Sequence, residues 1–130
     1  MFIGNFFKKI NKKYKSHYFS GLSFNSLTCK RNNIFFAIKG NKINGNKYIG
    51  AAIKNGAKTI ISNKKFSGLK KKILYINSKN VRKLLSETAF KTCKKKPNNL
   101  VAVTGTNGKS SVADFYLQIL KSIHLHLFFQ

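Results

Sequence analysis

Asn33-Ile-Phe-Phe-Ala-Ile-Lys-Gly40, then Tyr48-Ile-Gly-Ala-Ala-Ile53, then Thr59-Ile-Ile-Ser62 is the stretch that decides the fold. Ile34 to Ile38 is a continuous apolar run of buried-strand length that stops at Gly40. The turn formers of Asn41-Lys-Ile-Asn-Gly-Asn46 read as a loop. Ile49, Ala52 and Ile53 then follow helical spacing, and Gly56 can end that helix in the left-handed conformation. Thr59 to Ser62 is a second apolar strand. Strand, helix, strand in this order implies a βαβ crossover and an α/β domain.

Working outward, Leu22-Ser-Phe-Asn-Ser26 and Ile73-Leu-Tyr-Ile76 read as further strands. Phe2, Ile3, Phe6, Phe7, Ile10 and Tyr14 recur among lysines at helical spacing, so residues 2–15 read as an amphipathic helix with a packing role. Ser78 or Asn80 can cap a helix carrying Val81, Leu84, Leu85, Thr88, Ala89 and Thr92 toward Cys93, with Lys94-Lys-Lys96 at the negative end of its dipole. Pro97-Asn-Asn99 stops that helix and marks a domain boundary, dividing the chain into 1–96 and 97–130.

Beyond the boundary, Leu100-Val-Ala-Val103 reads as a buried strand running into Thr104-Gly-Thr-Asn-Gly-Lys-Ser-Ser111, and Val112, Phe115, Tyr116, Ile119 and Leu120 continue as a helix. Strand, glycine loop and helix in this order suit phosphate binding. Gly105 and Gly108 let the backbone curl so that successive N–H groups converge, and the helix N-terminus adds partial positive charge. Lys109 would contact β- and γ-phosphates, and the Ser110 hydroxyl would sit on Mg²⁺. Val103 stands where the longer form of this motif has its first glycine.

Composition bounds the partners. The chain has 130 residues, enough for one compact domain and the start of another. Its 26 Lys+Arg face only Glu87 and Asp114, for a formal net charge of +24. Such a field favours polyanions, which leaves a basic nucleic-acid-binding module as the competing reading. The basic residues are lysines apart from Arg31 and Arg82, they are scattered, and Asn, Ile and Phe are abundant too. That pattern points to AT-rich codons rather than to nucleic-acid recognition. Cys29 and Cys93 lie outside any CxxC pair, so no metal site or disulfide framework is indicated, and two free thiols suit a reducing cytoplasm. His124 and His126 have no carboxylate or cysteine nearby to complete a metal site. No signal-peptide core and no run of about 20 apolar residues is present, so no membrane span is expected.

Thr104-Gly-Thr-Asn-Gly-Lys-Ser110 resembles the phosphate loop of the Mur ligase and folylpolyglutamate synthetase superfamily. Ser23-Phe-Asn-Ser26, Asn33 to Gly40, Asn44-Gly-Asn-Lys-Tyr-Ile49 and Ala51-Ala-Ile-Lys-Asn-Gly-Ala57 resemble segments of the Mur ligase N-terminal domain. Thr106, where the MurF type carries Ser, makes the MurE type the best match. The resemblance covers residues 22–120. Asn25 and Leu27 depart from it, standing where the family has Asp and Arg.

The resemblance implies an N-terminal domain binding UDP-MurNAc, followed by the first strand, phosphate loop and helix of a central ATPase domain. It assigns UDP-MurNAc to Phe24, Ser26, Asn41, Lys42 and Ile43. It assigns ATP to Gly105, Thr106, Asn107, Gly108, Lys109, Ser110 and Ser111, with Lys109 catalytic and Ser110 on Mg²⁺. The implied reaction is ATP-dependent addition of a third residue, meso-diaminopimelate or L-lysine, to UDP-MurNAc-L-Ala-D-Glu in peptidoglycan synthesis. ATP phosphorylates the D-Glu carboxylate, and the incoming amine displaces phosphate. A carbamylated lysine, acidic Mg²⁺ ligands and an amino-acid-binding domain also belong to that machinery and are not in this sequence. The chain is therefore expected to be a truncated, cytoplasmic, monomeric fragment, inactive alone.

Overall fold

The structure, a computed structural model, describes residues 1–41, 43–93, 95–96 and 100–122. Lys42, Lys94, the Pro97–Asn99 boundary and the His124 and His126 pair lie outside the described residues. The chain divides into two compact units, Met1–Lys94 and Lys95–Gln130.

In the first unit, five strands form one sheet: β1 (Gly21–Ser23), β2 (Asn33–Phe36), β3 (Thr59–Ser62), β4 (Gly68–Lys70) and β5 (Ile73–Asn77). Their spatial order is β1-β2-β3-β5-β4. All neighbours are parallel except β4, which runs antiparallel along the outer side of β5. Helix α1 (Ile49–Lys54) carries the chain from β2 to β3, which gives the expected βαβ unit. Helix α2 (Val81–Thr92) follows β5, and its Asn80 cap accepts a hydrogen bond from the Lys83 amide.

Alternation along the strands sorts the core into two layers, because successive side chains point to opposite faces. Ile34, Phe36, Ile61 and Leu74 join Ile3, Phe7, Phe19 and Val81 on one face. Phe35, Ile60 and Ile73 join Cys29, Ala52 and Ala57 on the other, against α1. Both faces of β2 and β3 are covered, which is why these strands read as unbroken apolar runs. Burying each such side chain contributes about 1.5–3 kcal/mol. Burial pushes the Cys29 thiol above its ordinary value, with a backbone hydrogen bond at Lys30 offsetting part of it, so this cysteine behaves as a core residue.

Two expectations are corrected, and one strand was not anticipated. Residues 2–15 do not form one helix: they make two short 3₁₀ turns, Ile3–Asn5 and Lys12–Tyr14. The segment folds back on itself, with the Ile3 and Gly4 amides donating to the His17 and Lys15 carbonyls, both at 2.9 Å. A Cβ at Gly4 would stand 2.8 Å from the Lys15 Cβ, so the close crossing needs glycine there. The packing role itself is real, since Ile3 and Phe7 are buried. Strand β4 was not legible, because Gly68-Leu-Lys70 offers one apolar residue in three. Leu100 to Val103 forms no strand, since a strand needs a hydrogen-bonded neighbour and this segment has none among the described residues.

The second unit holds the loop 104–108 and helix α3 (Lys109–Ser122). No residue of α3 is buried; Phe115 and Ile119 are 62% and 59% exposed. Among the described residues, no helix is long and apolar enough to cross a membrane.

Candidate functional site

The second unit contains the glycine loop. Gly105 and Gly108 both have positive φ, 150° and 74°. A Cβ at Gly108 would meet nothing within 4 Å, so glycine is needed there for backbone conformation and the space above the loop is open. The Val112 amide donates to the Gly108 carbonyl at 3.0 Å, which starts α3 at the end of the loop. Lys109 folds back over it: Nζ donates to the Gly105 carbonyl at 2.6 Å and to the Thr106 carbonyl at 3.1 Å. Ser110 and Ser111 occupy the first turn of α3, where amides lack intrahelical partners.

Positive-φ glycines, a lysine across the loop and a helix N-terminus fit an anionic phosphate chain. For Mg²⁺ the loop offers the Ser110 hydroxyl, and among the described residues no group of three His, Cys, Asp or Glu side chains could hold a metal. A single hydroxyl would leave the rest of a Mg²⁺ ion's coordination to phosphate oxygens and water.

The first unit contains the other set of candidate residues. β1 and β2 are parallel, with Ser23 beside Phe35, so the segments after both strands leave the same edge of the sheet. Ligands of open parallel sheets bind at that carboxyl edge. Phe24 is 68% exposed there, whereas Ser26 is buried. Ser23 Oγ donates to the Asn25 carbonyl at 2.7 Å, and Asn25 Oδ1 accepts from the Leu27 amide at 2.9 Å. Asn25 thus builds a tight turn that lifts Phe24 and Leu27 into solvent. Asn41 and Ile43 are exposed on the neighbouring segment, which Gly40 closes by donating to the Ile43 carbonyl at 2.8 Å.

Two supporting residues escaped the sequence reading. Asn55, just past α1, donates from Nδ2 to the Ser26 carbonyl at 2.8 Å. Asn46 Nδ2 donates to Asn63 Oδ1 at 2.8 Å, which ties the segment after β2 to the one after β3. Asn46 Oδ1 is buried with no hydrogen-bond partner among the described residues. The sequence signal for this corner is its asparagine density at Asn41, Asn44 and Asn46.

A family model described as "Mur ligase family, catalytic domain" matches residues 18–91. A curated relative from Rickettsia prowazekii (strain Madrid E), named UDP-N-acetylmuramoyl-L-alanyl-D-glutamate--2,6-diaminopimelate ligase, is 43% identical over 109 residues, covering 84% of this chain and 22% of the relative. A relative of the same name from Clostridium tetani (strain Massachusetts / E88) is 38% identical over 104 residues, 77% of this chain and 21% of its own. Among solved structures, the MurF ligase from Thermotoga maritima in complex with ADP superposes with a TM-score of 0.58 at 25% identity, covering 78% of this chain and 23% of that one. The chain spans about a fifth of the length of the curated relatives it matches.

Proposed function

Because the chain belongs to the Mur ligase family, we propose that it contributes the UDP-MurNAc-binding domain and the phosphate loop of an ATP-dependent ligase of peptidoglycan synthesis. The reaction adds 2,6-diaminopimelate to UDP-MurNAc-L-Ala-D-Glu. The names carried by the relatives at 38–43% identity support that choice of amino acid over L-lysine.

The observation that carries the reading is the pair of positive-φ glycines spanned by Lys109 at the start of α3. When phosphates enter, the Lys109 ammonium exchanges two carbonyl acceptors for anionic oxygens, a stronger charge-assisted contact. The amides of Ser110 and Ser111 face the same charge. Lys109 then holds negative charge on the transferring phosphoryl group, where a fixed cation acts most effectively. The Ser110 hydroxyl would hold Mg²⁺, which would supply charge neutralisation to the phosphates. In the first unit, Phe24 offers a face for stacking, and the family resemblance assigns Ser26, Asn41, Lys42 and Ile43 to UDP-MurNAc as well. The site lies in the cytoplasm, where these substrates are made.

The test is an NMR titration of the 130-residue chain with UDP-MurNAc-L-Ala-D-Glu. Saturable shifts at Phe24, Ser26, Asn41 and Ile43 are expected. Saturable binding elsewhere, or none at millimolar ligand, refutes the assignment.

A further inference from the structure

In the first unit, the N-terminal segment, β5 and α2 line a half-open cavity of about 700 Å³. Its floor is apolar, lined by Phe7, Ile10, Leu74, Ile76 and Leu84, which belong to the core layer around Phe36. Its walls carry Lys8, Lys9 and Lys13 from the N-terminal segment and Lys91 from α2, against one carboxylate, Glu87. Tyr14, Ser67 and Asn77 add polar groups.

We infer that this cavity binds a small amphiphilic carboxylate: one anionic head on an apolar body. Its volume falls within the range of about 300–1,000 Å³ usual for small-molecule pockets. The floor offers nothing to a compact inorganic anion, while the four lysines disfavour a purely neutral ligand. Among the described residues, two of those cations have weak partners that a carboxylate would outcompete. Lys91 Nζ donates to the Phe6 carbonyl at 3.1 Å, and Lys13 Nζ lies 4.9 Å from the centre of the Tyr14 ring. The head is therefore placed between Lys13 and Lys91 and the apolar body against Ile10 and Leu84. None of these residues belongs to the glycine loop or to the β1–β2 edge, so this inference stands or falls separately from the ligase reading.

The experiment is an amide NMR titration of the full chain with monomeric decanoate at low salt, with octanoate and decanol beside it. Saturable shifts grouped at Phe7, Ile10, Tyr14, Tyr75, Leu84 and Lys91 are expected. Decanoate should bind more tightly than octanoate by about fourfold for each added CH₂, corresponding to ~0.8 kcal/mol per methylene, and decanol should bind more weakly. Ile10→Trp, which fills the cavity, should abolish the shifts. Lys13→Gln, a surface change that leaves the core intact, should weaken decanoate several-fold and leave decanol unchanged. Shifts scattered over the lysines, equal binding of decanol, or a response only to vesicles of anionic lipid and not to the monomer would overturn the inference.

Discussion

The side-chain amide of Asn55 reaches the main-chain carbonyl of Ser26 at 2.8 Å, joining the end of α1 to the turn that follows β1. Ser26 is buried, so its carbonyl relies on protein donors rather than on water: Asn55 is the shorter contact, and the Cys29 amide at 3.4 Å the longer. Asn55→Ala should destabilise the first unit by about 1 kcal/mol, the net worth of one hydrogen bond. It should also weaken UDP-MurNAc-dipeptide binding by loosening the turn that presents Phe24. Urea denaturation and the NMR titration together check this. Unchanged stability and affinity would show that the contact is incidental.

One residue further, Gly56 has φ of 105°, and a Cβ there would stand 2.8 Å from the Arg31 Cα and 2.9 Å from the Arg31 nitrogen. Neither atom can move without shifting the backbone ahead of β2. Gly56→Ala should therefore cost about 2–4 kcal/mol, from left-handed strain and the clash together. Gly50 lies within α1 with open space where its Cβ would be. Gly50→Ala should stabilise by about 0.5–1 kcal/mol, the helix-propensity difference. Opposite signs in paired urea titrations are expected, and equal effects would refute the assignment of Gly56 as conformationally required.

Much of this arrangement was legible in the sequence. Runs such as Ile34–Ile38 and Thr59–Ser62 gave their strands away because both faces of the sheet are covered. The loop 104–108 was legible as a turn into a helix because Gly105 and Gly108 take the positive φ that such a turn needs. The N-terminal segment misled because Phe6, Phe7 and Ile10 sit at helical intervals, while the backbone finds its partners at Lys15 and His17. Periodicity reports which residues are buried; it does not report which distant carbonyl an amide will meet. Asn55 was illegible for the same reason, since its acceptor is 29 positions away.

His17 supplies a pH dependence. Burial pushes its imidazole below the ordinary value, and a backbone hydrogen bond at Lys58 offsets part of that. Its Nε2 is buried with no hydrogen-bond partner among the described residues. The folded state therefore favours the neutral ring. Above the unfolded value, near 6.5, the ring is neutral in both states and adds no proton-linked penalty. As pH falls below that value, the unfolded chain takes up the proton first, and stability is lost until the folded ring protonates too. Urea midpoints should be lower at pH 5.5 than at pH 7.5, and His17→Gln should flatten the difference. A midpoint that rises on acidification would mean that His17 has the opposite shift.

The 130 residues by themselves should neither ligate nor hydrolyse ATP at a measurable rate, although they carry the glycine loop. Leu100–Val103 has no strand partner among the described residues, and α3 leaves Val112, Phe115 and Ile119 exposed. The loop is thus not braced by a sheet. Ordering an unbraced loop costs roughly 1–2 kcal/mol per residue, which would consume most of the gain from phosphate contacts. Lys109 also begins engaged with two carbonyls rather than poised for substrate. Phosphate release and ligation, assayed with ATP, UDP-MurNAc-L-Ala-D-Glu and 2,6-diaminopimelate, should match a Lys109→Ala control. Turnover in the unmodified chain that disappears in that control would show that this one loop and helix suffice for chemistry, and the bracing argument would be wrong.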